Sequence, residues 1–338
     1  MKNKKYIFLL DDDPDFCESI KSLLENIAKV KTFTDPYVFL KELKNSVVDL
    51  VILDYNLNHP KYDGFEIIKS IKNLNDSHLI PILMISGCDS SETVSQAFYS
   101  GIEDYVNKPI MPDFFMRKVE HTLYHSKIKL HTNALTGLPD ITLIEEEFYR
   151  WRDKNKKFSV AYVDLDNFKA FNDYKGVKSG DIAIKIMAQG LKEIRNSFNK
   201  SQIYSGHIGG DDFFLIGYKT IIKSCIKKLY QLFNKKNIEL FSKEEIENGF
   251  YIGYNRKGEE EKLPLITIST ALITLEYSND ETFEQISAIS AILKKKAKHK
   301  KGNSLAELTL PIEKASADYS LYENVLSENS DLLNIGIN

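Results

Sequence analysis

The sequence predicts an α/β protein of two domains, the first a doubly wound parallel sheet and the second a sheet built around one β-hairpin. Three observations carry this. Short apolar runs alternate with helix-patterned segments through the first third of the chain. Acids and other polar residues recur immediately after those runs. Farther along, Ser205-Gly-His-Ile-Gly-Gly-Asp-Asp-Phe-Phe-Leu-Ile-Gly217 sets a glycine pair and two adjacent acids between two apolar stretches. At 338 residues the chain exceeds one ordinary core and suits two domains.

Composition narrows the class. With 43% hydrophobic and 28% charged residues and a net charge of −3, the chain is globular and lacks the basic signature of a nucleic-acid partner. Three scattered cysteines, Cys17, Cys88 and Cys225, show no metal-ligand spacing and imply buried thiols in a reducing compartment. The apolar run Tyr6–Leu10 is ended by Asp11-Asp12-Asp13 too early for a signal-peptide core, and no stretch approaches a membrane span. A cytoplasmic location with no membrane partner is expected.

In residues 1–126, strands at Tyr6–Leu10, Val48–Leu53 and Ile80–Ile85 alternate with helices at Pro14–Ala28, Pro36–Asn45, Phe65–Leu74 and Glu92–Ser100. Such an order predicts a parallel sheet with helices on both faces and a ligand site at the carboxyl ends of the strands. Asp11, Asp12 and Asp13 follow the first strand, and Asp13 before Pro14 is accounted for as an N-cap. Asp54 closes the second strand, Ser86 the third, and Lys108-Pro109 follows Tyr105-Val106. Each could singly be a cap, a turn residue or a solvated charge. Placed together at one sheet edge they make a phosphoryl site, with carboxylates to hold Mg²⁺, one carboxylate to attack and a lysine to balance developing charge.

These residues resemble the receiver domain of two-component response regulators over roughly the first 120 positions. The resemblance implies that Asp54 is the phospho-acceptor, that Asp11 and Asp12 with the Asn56 carbonyl complete the metal site, and that Ser86, Tyr105 and Lys108 form the switch, with Pro109 cis. A sensor histidine kinase or phosphotransfer protein is then the partner. The segment from Asp54 to Asp63-Gly64, containing Asn58-His59-Pro60-Lys61, runs about two residues longer than usual for the family.

Residues 127–140 are read as a connector continuing a helix from Pro112 to Leu130, whose apolar stripe Phe115, Val119, Leu123 and Ile128 either covers the first sheet or extends into a dimer contact. The domain that follows spans 141–306, with a peripheral tail at 307–338. Here Gly209-Gly210 marks a hairpin tip, where positive φ costs glycine little. Adjacent residues of an extended chain point to opposite faces, so Asp211 and Asp212 need a third acid to hold one ion. Phe158-Ser-Val-Ala-Tyr-Val-Asp-Leu-Asp166 supplies it: if this strand lies beside the hairpin, Asp164 meets Asp211 at its end. Asp181, after Gly180, reads equally as a helix cap, and Asn172 as turn chemistry.

Asp164-Leu-Asp-Asn-Phe-Lys-Ala-Phe-Asn-Asp173, Ser179-Gly180-Asp181 and Gly209-Gly210-Asp211-Asp212-Phe213 together resemble the GGDEF family of diguanylate cyclases. The resemblance implies an α+β domain with a central antiparallel sheet like the palm of nucleotidyl cyclases. By it, Asp164, the Leu165 carbonyl and Asp211 hold Mg²⁺, with Asp212 the further catalytic acid of the signature. Asn172 and Asp181 read guanine, while Lys169, Lys298, Gly209, Gly210 and the backbone near Phe168 meet the phosphates of GTP. Two GTP molecules would join as cyclic di-GMP across a homodimer that forms when Asp54 is phosphorylated.

The chain departs from that family at Asp212, which stands for a glutamate, and at His207, which stands for an arginine. It departs again in Ser290-Ala-Ile-Leu-Lys-Lys-Lys-Ala-Lys-His-Lys-Lys-Gly-Asn303, where Lys300 or Lys301 would replace a lost arginine, and at Lys200-Ser-Gln-Ile203, where the product-inhibition motif is missing. These departures keep open a module that binds GTP or a cyclic dinucleotide without turnover, and a purely structural output for the phosphorelay. Residues 239–264 read as an inserted hairpin before a strand at Leu265–Leu275.

Overall fold

The computed structural model describes residues 4–74, 80–87, 90–154, 157–199, 201–254, 260–276, 281–298, 302–310 and 334–335. Cys88, Lys200, Lys300 and Lys301, and most of the tail, fall outside them. The chain forms two compact units, Met1–Leu130 and His131–Asn338.

The first unit runs β1 (Lys5–Leu10), α1 (Pro14–Leu24), β2 (Ala28–Phe33), α2 (Pro36–Leu43), β3 (Leu50–Asp54), α3 (Gly64–Lys72), β4 (Ile82–Ser86), α4 (Ser91–Ser100), β5 (Asp104–Asn107) and α5 (Pro112–Leu130). Its five strands are parallel in the order β2-β1-β3-β4-β5. Every residue of β3 and β4 is buried, because helices cover both faces. Phe8, Leu10, Val51, Leu53 and Met84 pack on one face with Phe39 of α2 and Ile68 of α3. Ile7, Leu9, Ile52 and Ile85 pack on the other with Ile20 of α1 and Phe115 of α5. The strand order reverses between β1 and β3, and the crevice at such a reversal is where ligands of open α/β sheets bind. Asp13 caps α1 as its position before proline predicts, accepting from the amides of Asp15 and Phe16. Strand β2 begins at Ala28, inside the segment the periodicity assigns to a helix, and α1 stops at Leu24.

The second unit runs α6 (Ile141–Lys154), β6 (Lys157–Leu165), α7 (Phe168–Lys175), α8 (Val177–Asn196), β7 (Ile203–Gly209), β8 (Asp212–Gly217), α9 (Lys219–Asn237), α10 (Lys243–Asn248), β9 (Phe250–Tyr254), β10 (Glu260–Pro264), β11 (Ile268–Glu276), α11 (Phe283–Ala297), β12 (Ser304–Leu310) and β13 (Asn334–Ile335). Its main sheet has the order β13-β12-β11-β6-β8-β7 and is antiparallel except for the parallel pair β11 and β12. Helices α8 and α9 cover one face, around Val163, Phe213, Met187 and Leu229. Helices α6 and α11 cover the other, around Tyr162, Phe214, Phe148 and Ile289.

Two details differ from the sequence reading. Residues 307–310, assigned there to a tail, continue β12 in register with β11, and Leu308 and Leu310 are buried. Of the insertion at 239–264, β9 and β10 pair as a hairpin, but α10 precedes them, and the segment is tied to the rest of the unit. Tyr251 and Phe241 pack on Phe171 of α7, and Glu245 of α10 pairs with Lys175 at 2.8 Å. The insertion thus buttresses the helix that carries Asn172.

Gly206 sits in β7 where a Cβ would stand 2.4 Å from the Ile144 side chain and 2.9 Å from the Pro139 carbonyl oxygen. Overpacking of this kind costs about 1–3 kcal/mol. Gly206→Ala should therefore lower the denaturant midpoint of the second unit, read by the single tryptophan, Trp151. An unchanged midpoint would show that α6 yields freely there.

Candidate functional site

Each unit gathers three carboxylates at the end of a sheet. In the first, a carboxylate oxygen from each of Asp11, Asp12 and Asp54 lies within 4.8 Å of the others. The fold explains this: β1 and β3 are parallel neighbours, and Asp11 and Asp54 lie at their carboxyl ends. Lys108, just beyond β5, reaches back to Asp11 Oδ2 and Asp54 Oδ1, at 2.8 Å each. Its ammonium also lies over the Phe16 ring, 4.2 Å from the centroid. The peptide bond from Lys108 to Pro109 is cis.

Burial raises the Asp54 carboxyl above its ordinary range, and the Lys108 ammonium and Asn56 amide pull it back only in part. For Lys108, burial works to lower the pKa, but Asp11 and Asp54 outweigh it and the ammonium is held above its usual value. The Asn56 amide donates to Asp54 Oδ2 at 2.9 Å. Ser86 is buried at the end of β4, its carbonyl accepting from the Lys108 amide, and Tyr105 is half-buried against the core beneath. Asn58, at φ 42°, donates its side-chain amide to Asp12 Oδ2 at 2.6 Å. That contact was not foreseen, although the lengthened loop containing Asn58 was visible in the sequence.

The second cluster joins Asp164, Asp211 and Asp212, again with one oxygen of each within 4.8 Å of the others. Asp164 faces Asp212 directly across β6 and β8. The Asp166 amide donates to Thr267 on the β11 side, so by alternation Asp164 and Asp212 form a non-hydrogen-bonded pair, the arrangement with the closer side chains. The same alternation turns the Leu165 carbonyl toward the hairpin. Asp211 lies in the turn rather than on a strand, with Gly210 before it at φ 57°. The expectation that the two adjacent acids diverge is therefore corrected: they converge because only Asp212 keeps strand geometry.

Burial and the neighbouring Asp164 raise the Asp211 carboxyl above the usual range. Helix α11 and the residue that caps its C-terminus bring two lysines, one turn apart, to the cluster. Lys298 Nζ is 2.6 Å from Asp164 Oδ2, and Lys294 pairs with both Asp164 Oδ1, at 3.3 Å, and Asp212 Oδ1. Lys298 was expected at phosphates and Lys294 was not singled out; its i, i+4 spacing to Lys298 was the available signal. Asp166 is no part of the cluster, since Thr267 and Ser269 hydroxyls hold it.

His207 holds the hairpin tip. Its Nε2 lies 3.0 Å from the Gly210 carbonyl and its Nδ1 3.2 Å from Thr136 Oγ1, while the ring stacks on Phe213 at 4.5 Å. Burial lowers its pKa and favours the neutral ring, with Nε2 the donor to Gly210.

Of the residues expected at nucleotide, Asp181 lies within α8, whose N-cap is Gly176, so it is not a capping residue. Asn172 Oδ1 is buried without a hydrogen-bond partner among the described residues. Gly180 allows that position, since a Cβ there would stand 1.7 Å from Asn172 Oδ1. Lys169 is exposed on the first turn of α7, and Phe168 is buried in the core. The space beside Gly209 and Gly210 is open. In both clusters the donor set, three carboxylates, suits a hard divalent cation.

Comparison with known proteins is consistent with both halves. The family profile of the response regulator receiver domain matches residues 7–120, and that of the diguanylate cyclase GGDEF domain matches residues 130–274. The heme response regulator HssR of Staphylococcus epidermidis is 26% identical over 211 residues, covering 56% of this chain and 90% of the relative. Diguanylate cyclase DgcP of Escherichia coli is 31% identical over 132 residues, covering 38% of this chain and 36% of the relative. Among solved structures, a receiver domain of the Pseudomonas aeruginosa histidine kinase PA1611, with magnesium in its active-site cleft, is 19% identical. That match covers 36% of this chain and 98% of the other, at a TM-score of 0.33.

An acid whose pKa is raised by folding binds its proton more tightly in the folded state, so its ionisation at neutral pH opposes folding. Without metal, Asp54→Asn should raise the thermal midpoint of the first unit at pH 7. The gain should shrink as pH falls through the carboxylate range, where the native Asp54 is itself protonated. A midpoint lowered at pH 7 would show that the Lys108 contact outweighs burial.

Proposed function

Taking as premise that this chain carries a response regulator receiver domain followed by a GGDEF domain, we propose a phosphorylation-controlled diguanylate cyclase. The convergence of Asp164, Asp211 and Asp212 at an open hairpin tip carries the reading. In the receiver, the Asp54 carboxylate attacks phosphorus on the phosphohistidine of a kinase or phosphotransfer protein, or on a small donor, forming an acyl phosphate as the bond to the histidine nitrogen or the donor's leaving group breaks. Lys108 then balances charge between Asp54 and Asp11. Asp11, Asp12, Asp54 and the Asn56 carbonyl would hold one Mg²⁺ ion.

In the second domain, Asp164, Asp211 and the Leu165 carbonyl would hold Mg²⁺, with Asp212 beside them. When bound, that ion would lower the pKa of the attacking 3′-hydroxyl of GTP and offset charge on the α-phosphate as the new ester bond forms and pyrophosphate leaves. The chain's own groups position the nucleotide. The Asn172 side-chain amide would pair with guanine, and Asp181 would accept from N1–H and the exocyclic amine. Lys298 and Lys169 meet the phosphates, and the bare backbone of Gly209 and Gly210 lets them approach. One domain binds one GTP, so two chains must face each other, and phosphorylation of Asp54 raises their encounter by favouring a homodimer. The free, buried thiols Cys17 and Cys225 suit the reducing cytoplasm. No helix among the described residues is long and apolar enough to cross a membrane.

A second reading is favoured by one observation: Lys294 lies between Asp164 and Asp212, where a cation would act. On that reading the domain binds GTP or a cyclic dinucleotide and signals through protein contact without turnover.

Purified protein with GTP, Mg²⁺ and a small phosphodonor should yield cyclic di-GMP on chromatography, and Asp211→Ala should reduce the yield by about 100-fold or more. GTP binding without product would favour the second reading. Sedimentation should show donor-dependent dimers in the wild type and none in Asp54→Asn; identical behaviour of the two would refute phosphorylation control.

A further inference from the structure

Both carboxylate oxygens of Asp164 are in ion pairs, Oδ1 with Lys294 and Oδ2 with Lys298 at 2.6 Å, the second without hydrogen-bond geometry. Lys294 also pairs with Asp212, bridging the two acids that face each other across β6 and β8. Asp211 makes no ion pair among the described residues. The lysine is not a solvated charge that drifted inward. Its side chain is 16% exposed, and its helix is anchored by the fully buried Leu293 and Ala297 on either side.

An ammonium and a divalent cation compete for the same oxygens. A metal ion held through Asp164, with Asp212 beside it, would need the carboxylate that Lys294 already pairs with and would bring two positive charges up against its one, and both cannot stay. The four-carbon stem of lysine allows the ammonium to swing while its Cα stays fixed. Triphosphate oxygens arriving beside the cluster would give it a new anionic partner. Resting on the reading of this cluster as a metal and nucleotide site, we propose that Lys294 is a built-in occupant of the cation position between Asp164 and Asp212. A divalent cation then enters freely only when nucleotide phosphates draw the ammonium away.

The cluster therefore binds metal weakly alone and tightly with nucleotide. By linkage, nucleotide and metal strengthen each other's binding by the same factor. The lysine makes that factor large, because it penalises the metal-only state and is rewarded in the joint one. It also spares the three acids mutual repulsion in the resting protein.

The test uses the full chain carrying Asp11→Asn and Asp12→Asn, which silences the receiver cluster, and follows free Mn²⁺ by electron paramagnetic resonance. Lys294→Gln in this background should bind Mn²⁺ about tenfold more tightly than its parent, a difference of about 1.4 kcal/mol. Lys294→Arg should bind like the parent. A non-cyclisable α,β-methylene analogue of GTP should tighten Mn²⁺ binding more in the parent than in Lys294→Gln. Circular dichroism and thermal melting check that each variant folds. Equal Mn²⁺ affinity in parent and Lys294→Gln, or weaker binding in the variant, overturns the proposal and leaves the metal reading standing. Absence of Mn²⁺ binding in both, with and without the analogue, removes the metal reading and the proposal with it.

Discussion

Crowding of like charge is the constraint that shapes both halves of this chain. Two unit charges 4 Å apart at an effective dielectric of 20 repel by about 4 kcal/mol. Each unit nevertheless holds three carboxylates within 4.8 Å of one another. Such clusters persist because a rigid sheet supplies the backbone positions and because lysines from a neighbouring segment offset the charge: Lys108 in the first unit, Lys294 and Lys298 in the second. What differs is topology. Parallel strands β1 and β3 deliver Asp11 and Asp54 at their carboxyl ends, whereas antiparallel β6 and β8 deliver Asp164 and Asp212 from opposite directions.

The difference suits the two chemistries proposed for this chain. A receiver needs one carboxylate that reacts and others that support it. Burial of Asp54, with Lys108 between it and Asp11, provides that asymmetry. A nucleotidyl transfer site needs a surface open to a large substrate. There the hairpin tip, bare at Gly209 and Gly210 and bolted from beneath by His207, leaves one side of the cluster clear. The arginine that the family resemblance leads one to expect is replaced by a buried neutral ring, so position 207 here serves the turn's shape rather than its charge.

Much of this was legible in the residues. Apolar runs ending in acids located β1, β3 and β6, an apolar run ending in Ser86 located β4, and the glycine pair located the hairpin. Strand β2 was missed because Lys29 and Lys31 break its apolar character at the sheet edge and Ala28 prolongs the helical pattern before it. Asp211 and Asp212 were expected to diverge, since strand periodicity cannot say where a turn begins. Lys294 was hidden in a lysine run that looks like a solvated helix face; only packing of α11 on the sheet shows which of those lysines turns inward. Residues 307–310 looked peripheral because their burial depends on register with β11, a partner more than thirty residues away.

A crystal grown with Mn²⁺ and the non-cyclisable GTP analogue tests the second site most directly. Anomalous scattering should place manganese in contact with Asp164 and Asp211, with guanine near Asn172 and Asp181. Nucleotide in clear density with manganese elsewhere, or with the carboxylates of Asp164 and Asp211 too far apart to share an ion, would contradict the reading of this cluster as the catalytic centre.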